Sequence, residues 1–195
     1  ELIHDSPAIS WKDLSTGNTH ESVLSGNYNF ENIQAAYAIA RFFNVPAQEA
    51  SEGLSNYNPD NNRSQIILKG GNEIYLDAYN ANPSSMEAAI RNFSNLETPK
   101  GKVVFLGDMF ELGEFSEEEH QNLGKLVKEG GFETVVLFGE EMKHALKHLP
   151  AAYYFTDKFS VHNWTLDKKF VDKAILIKGS RGVKLETLLS FIGVD

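Results

Sequence analysis

Cysteine is absent from all 195 residues. That gap removes disulfide frameworks, thiol nucleophiles and zinc–thiolate sites together, and it suits a cytoplasmic protein. Long apolar runs are missing too. No stretch approaches the ~20 residues a membrane-crossing helix needs, and no signal-peptide pattern opens the chain, so no membrane role is expected. Concentrated positive charge is also lacking, with 18 Lys and Arg scattered against 27 Asp and Glu for a formal net charge of −9. This argues against a nucleic-acid surface, because binding a phosphate backbone takes clustered Lys and Arg. An anionic nucleotide can still be held locally by helix N-termini and a few placed cations. Two nucleotide-binding signatures are missing as well. There is no Gly-x-x-x-x-Gly-Lys-Ser/Thr loop, since the stretch from Gly179 to Lys184 has the wrong spacing, and no Gly-x-Gly-x-x-Gly follows any strand. A self-sufficient ATPase or dehydrogenase is therefore not expected.

What is present organises into two parts. Residues 1–26 are polar with little periodicity and begin at Glu1 without a methionine, as the middle of a longer chain would; the chain is expected to be a fragment. A helix is predicted over 31–44, with Ile33, Ala36, Tyr37, Ala40 and Phe43 on one buried face. The turn before it carries Asn29, and Asn32 follows one helical turn later. A short helix over 46–54 leads into an Asn-, Asp- and Pro-rich stretch, 55–62. That shift in composition sets the domain boundary, giving parts 1–57 and 58–195.

Beyond it strands and helices alternate. A hairpin pairs 64–69 with 73–77 across Gly70-Gly71-Asn72. Helix 84–96 follows, capped by Asn82 with Pro83 at its first turn. Strands at 102–106, 134–138, 153–155 and 174–178 are separated by helices beginning at Ser116, with a Ser116/Glu119 capping box, and over 140–148 and 158–170. A last helix spans 184–192. Near-continuous apolar strands joined by helices predict an α/β fold: a Rossmann-like, mostly parallel sheet with helices on both faces and an antiparallel edge hairpin.

If those strands are parallel, their C-terminal ends share one rim. It carries Asp77, Tyr79 and Asn80, then Gly107-Asp108-Met109, Phe138-Gly139-Glu140, and Lys178-Gly179-Ser180-Arg181. Loops at that edge form the usual ligand crevice of open α/β sheets. The Asp77 carboxylate there can accept hydrogen bonds from the vicinal hydroxyls of a ribose. Lys178, Ser180 and Arg181 offer two cations and a hydroxyl, a set suited to a carboxylate or phosphate. A capped βα loop and solvated edge charges account for the same residues without a ligand. The remaining features are read structurally. His144 and His148, four apart beside Glu140 and Glu141, are explained by the dipole at a helix C-terminus. His4, His20, His120 and His162 stand alone. Phe42, Phe43, Phe93, Phe105, Phe138 and Phe155 fall at core spacing.

Three segments, Asp77 to Met86, Leu106 to Glu114 and Lys178 to Glu186, together resemble the C-terminal part of the Mur ligase family, in the expected order across about Leu24 to Ile192. The resemblance implies an ATP-dependent amide-forming ligase of peptidoglycan synthesis, nearest to the branch that joins D-alanyl-D-alanine to UDP-N-acetylmuramoyl-tripeptide through an acyl phosphate. A sister branch adding another amino acid is the runner-up. By the same resemblance residues 1–57 are a remnant of the central ATPase domain. ATP would meet Asn29, Asn32, Arg63, Asp77, Tyr79 and Asn80, and the dipeptide Lys178, Ser180, Arg181 and Asp108. The P-loop, the magnesium ligands and the catalytic groups would lie upstream. No catalytic residue is expected in this chain, and a monomer is expected. Where the family often shows His-Asn this chain has Tyr28-Asn29, whose flat ring and polar tip keep an adenine pocket plausible. A binding module that recognises a nucleotide or an amino acid without catalysis is the alternative from outside the enzyme class.

Overall fold

The computed structural model describes residues 1–5 and 8–194, and the chain divides into two compact units, Glu1–Pro59 and Asp60–Asp195. Among the described residues no helix is long and apolar enough to cross a membrane.

In the first unit the opening segment, for all its lack of periodicity, forms a small sheet. Strands β1 (Leu2–His4), β2 (Ser10–Lys12) and β3 (Thr19–Glu21) form an antiparallel sheet, followed by helices α1 (Asn27–Phe42) and α2 (Ala47–Ser55). These strands lie in a polar stretch with no apolar run, which is why the sequence hid them. A small core gathers Ile9, Trp11, Leu24, Phe30 and Ile33. Beside it the buried Asp13 carboxylate accepts hydrogen bonds from the Ser15 amide (2.8 Å), the Tyr37 hydroxyl (3.1 Å) and the Ser51 hydroxyl (2.9 Å). Burial pushes this carboxyl up, but the bonds from Ser15, Ser51 and Tyr37 outweigh it and hold it well below the usual carboxylate range.

Helix α1 departs from the predicted 31–44. It starts four residues earlier, and only Ile33 of the predicted face is buried. Ala36 is exposed, Tyr37 turns to Asp13, and Phe42 and Phe43, expected in the core, are 79% and 71% exposed. Periodicity marks an apolar stripe but not what covers it.

The second unit is the expected α/β fold. Strands β4 (Gln65–Lys69), β5 (Asn72–Asp77), β6 (Gly101–Gly107), β7 (Thr134–Phe138), β8 (Tyr153–Phe155) and β9 (Lys173–Lys178) form one sheet in the order β4-β5-β9-β6-β7-β8. Every pairing is parallel except the β4–β5 hairpin at the edge. Side chains alternate across each strand. Val104 and Leu106 of β6 and Leu176 of β9 therefore face one core, with Met86, Ile90 and Phe93 of α3 (Pro83–Asn95) and Leu123 and Val127 of α4 (Ser116–Glu129). Val103, Phe105, Ile175 and Ile177 face the other, with Val161 of α5 (Lys158–Lys168) and Leu185 and Leu188. Both faces are covered, as the near-continuous apolar strands require.

Helix α3 opens with the expected Asn82 cap, whose side chain accepts the Ser85 amide at 2.8 Å while the Ser85 hydroxyl receives the Asn82 amide. Three local expectations fail. The Ser116/Glu119 capping box does not form, because a 3₁₀ turn at Gly113–Phe115 already leads into α4 and the Ser116 hydroxyl donates to Glu141 Oε2 at 2.6 Å. The segment Glu141–Lys147 is a 3₁₀ helix rather than an α-helix, and so is Leu185–Ser190, where Lys184 in the left-handed region (φ 56°) breaks the start. Glu141–Lys147 fills the short gap between β7 and β8, where a tight 3₁₀ turn fits.

Gly124 is where α4 meets Glu141–Lys147, since a Cβ there would lie 2.6 Å from the Ala145 carbonyl oxygen and 3.0 Å from its Cα. Backbone cannot yield as a side-chain tip can. Gly124→Ala, a gain in helix propensity, should therefore destabilise the second unit by about 1–3 kcal/mol in urea unfolding; unchanged or raised stability would contradict this packing.

Candidate functional site

Strand β9 lies between β5 and β6, and the loops around it leave in opposite directions. Those after β5 and β6 lead to α3 and α4 on one face. The one after β9 leads to Val183, Leu185 and Leu188 on the other. Adjacent loops parting at a sheet rim leave a crevice, and ligands of open α/β sheets bind there. The register fills it: Asp77 is opposite Lys178, Lys178 opposite Leu106, and Gly107 opposite Phe138.

Lys178 ends β9 with its side chain only 1% exposed, whereas the Asp77 side chain is 20% exposed. An unpaired ammonium so deep would be expensive. It is paired, with its Nζ donating to Asp77 Oδ2 and reaching the Asn80 carbonyl at 3.4 Å. Two residues that the sequence reading put on different ligands thus hold one another. Lys178 points inward and takes Asp77 through Oδ2, while the Asp77 side chain stays in part open to solvent.

Ser180 and Asp108 are also turned inward. The Ser180 amide donates to the Asp108 carbonyl (3.1 Å), its Oγ accepts from the Phe110 amide (3.1 Å), and its hydroxyl lies 3.4 Å from the Ala81 carbonyl. The Asp108 carboxylate, 5% exposed, accepts the Met142 amide at 2.9 Å and that of Glu141. Burial pushes this carboxyl up, with those two amides opposing the shift. Gly139 makes room for it: its φ of 122° is open to glycine alone, and a Cβ would come within 2.3 Å of the carboxylate.

Arg63 and Arg181, both exposed, form the mouth with the half-buried Tyr79. The Arg63 guanidinium lies 3.8 Å from the Tyr79 ring centroid, and that of Arg181 lies 5.1 Å from it with Nη1 3.4 Å from the Tyr79 hydroxyl. One ring therefore gathers a cation from before the hairpin and one from after β9, the kind of pairing that attracts an anion. Asn80 is exposed, and its Oδ1 accepts the Ala81 amide at 2.9 Å. Asn29 and Asn32 belong to the first unit, where Asn29 is buried and donates to the Ser25 carbonyl at 2.8 Å while Asn32 is exposed on α1.

His120 was given no role from the sequence, yet its ring is fully buried and bonded to Met109 at the rim. The signal was its place on the stripe His120, Leu123, Gly124 and Val127, the buried face of α4. The other histidine pair makes no site: His144 lies 3.9 Å from Glu117 and Glu141, and among the described residues no three His, Cys, Asp or Glu could hold a metal.

Residues 62–181 match the family model described as Mur ligase, glutamate ligase domain. The chain belongs to the Mur ligase family. It is 32% identical over 179 residues to the UDP-N-acetylmuramoyl-tripeptide–D-alanyl-D-alanine ligase of Bacillus subtilis, covering 88% of this chain and 39% of that protein. Against the Escherichia coli enzyme of the same name it is 31% identical over 172 residues, covering 85% and 37%. Among solved structures it is similar to MurF from Acinetobacter baumannii, with a TM-score of 0.87 and 26% identity over 99% of this chain and 44% of that one. MurF from Thermotoga maritima, solved with ADP, shares the fold at a TM-score of 0.78 and 20% identity, over 99% of this chain and 45% of that one. The chain thus spans about two fifths of the length of the curated Mur ligases it matches.

The Asp77–Lys178 pair makes a stability prediction. Asp77→Asn strands a fully buried ammonium and should cost about 3–5 kcal/mol. Lys178→Met leaves a carboxylate that water reaches and should cost less, about 1–2 kcal/mol. Urea unfolding of both variants reads the difference, and equal losses or the reverse order would contradict the inward pairing.

Proposed function

We propose that this chain forms the C-terminal part of a cytoplasmic, monomeric, ATP-dependent ligase that joins D-alanyl-D-alanine to UDP-N-acetylmuramoyl-tripeptide in peptidoglycan synthesis. The reading is supported by the relatives' names and carried by one observation: a carboxylate fixed by a buried lysine at the sheet's switch point, with two arginines on the neighbouring tyrosine. In this reading residues 1–57 are the end of a central ATP-binding domain and 58–195 the family's C-terminal domain.

In the reaction ATP phosphorylates the tripeptide carboxylate. The D-alanyl-D-alanine amine then attacks the acyl phosphate, forming the amide and releasing phosphate. This chain's part is binding and orientation. Asp77 Oδ1 accepts the ribose hydroxyls, Tyr79 and Asn80 line the cleft beside it, and Arg63 reaches the nucleotide's negative charge. Arg181 takes the dipeptide carboxylate, while Ser180, Lys178 and Asp108 hold the loops that present it. The described residues do not fit magnesium, since no acidic cluster gathers among them.

The assay is ligation by the full-length ligase carrying this chain. The double variant Asp77→Asn/Lys178→Met removes both charges of the pair and spares the fold. It should raise the KM for ATP by about 10–100-fold, the loss expected for a hydrogen bond to a charged group. Arg181→Ala should raise the KM for D-alanyl-D-alanine and leave that for ATP unchanged. If another amino acid is added instead, a sister ligase is identified. If no ligation occurs at all, the domain is a binding module.

A further inference from the structure

His120 lies beneath the rim, on α4, and both of its ring nitrogens are committed to backbone. Nδ1 is 2.7 Å from the Ser116 carbonyl, which can only accept, so Nδ1 carries the proton. Nε2 is 3.1 Å from the Met109 nitrogen, which can only donate, so Nε2 offers its lone pair. The ring is therefore neutral and in a single tautomer. It is fully buried, and Met109 is 2% exposed, so water cannot replace either bond.

Met109 stands between the two residues that hold Ser180. The Asp108 carbonyl accepts the Ser180 amide, and the Phe110 amide donates to Ser180 Oγ. The Asp108 carboxylate meanwhile caps Glu141–Lys147. Fixing the Met109 peptide thus fixes the bonds on either side of it. We infer that His120 is a positioning residue that locks the 107–110 loop through the Met109 amide and so sets the place of Ser180 and the adjoining Arg181 at the rim. The consequence for the dipeptide rests on the ligase reading, whereas the hold on the loop does not. The surroundings suit a fixed ring. The Ser116 hydroxyl, 3.4 Å from Nδ1, is given to Glu141 Oε2, which keeps it off the ring. A merely space-filling residue at this point would leave the buried Met109 amide without an acceptor.

Two measurements on the 195-residue chain decide it. Imidazole nitrogen NMR of the wild type should show Nδ1 protonated and Nε2 as an acceptor; an Nε2-protonated or doubly protonated ring would overturn the inference even if every variant misfolds. In amide hydrogen exchange, His120→Leu should speed exchange at Met109, Phe110 and Ser180 about tenfold relative to the β7 amides. His120→Gln, whose side-chain carbonyl can take the place of Nε2, should restore slow exchange. Uniform acceleration throughout the unit, no acceleration, or failure of Gln to rescue would each show an ordinary core residue. In the full-length ligase His120→Leu should raise the KM for D-alanyl-D-alanine about tenfold with that for ATP unchanged. If the exchange pattern holds and the wild-type enzyme makes no product from the dipeptide, the ligase reading falls and the loop lock stands. If ligation is normal and the exchange pattern fails, the lock falls alone.

Discussion

Strand β9 follows β5 and β6 in the chain yet lies between them in the sheet, and its terminal lysine is buried there against Asp77. The rest of the candidate site depends on that insertion. It makes adjacent loops leave the sheet toward opposite faces, which opens the crevice. It also carries an ammonium into a place where only a partner makes it tolerable. Asp77 is that partner, so the carboxylate is oriented before any ligand arrives. Orientation in advance removes an ordering cost that binding would otherwise bear.

Around this pair the polar groups form two layers. Those turned inward hold the loops, through Ser180 across three of them, Asp108 across the 3₁₀ helix, and His120 from α4 below. The outer groups, the exposed Arg63 and Arg181, gather about the half-buried Tyr79 ring. Such a division keeps a site on loops while fixing those loops to rigid strands and helices.

Much of this was legible in the sequence, for physical reasons. Apolar runs such as Val103–Leu106 and Ala174–Ile177 can sit only in a sheet covered on both faces, and Asn82-Pro83 announces a helix start, so the alternation and the rim residues could be read directly. Direction within the rim could not. Lys178, Ser180 and Asp108 share polar character with Arg181, but strand register and burial turn the first three inward. The exposed faces of Phe42 and Phe43 and the hidden role of His120 reflect the same limit, since periodicity locates a stripe without naming its cover or its bonds. The short strands β1 to β3 escaped because they lie in a polar stretch, and the 3₁₀ segment Glu141–Lys147 because its start is held by Asp108 from another loop rather than by local pattern.

The central claim is that ligands meet this protein at the β5–β9–β6 rim. The most direct test is backbone NMR of the isotope-labelled chain titrated separately with ADP and with D-alanyl-D-alanine. The account predicts that ADP shifts the amides from Asp77 to Asn80, and that the dipeptide shifts those from Gly179 to Arg181. Shifts confined to the opposite end of the sheet, at Gly70-Gly71, Lys100 and Glu133, would contradict it.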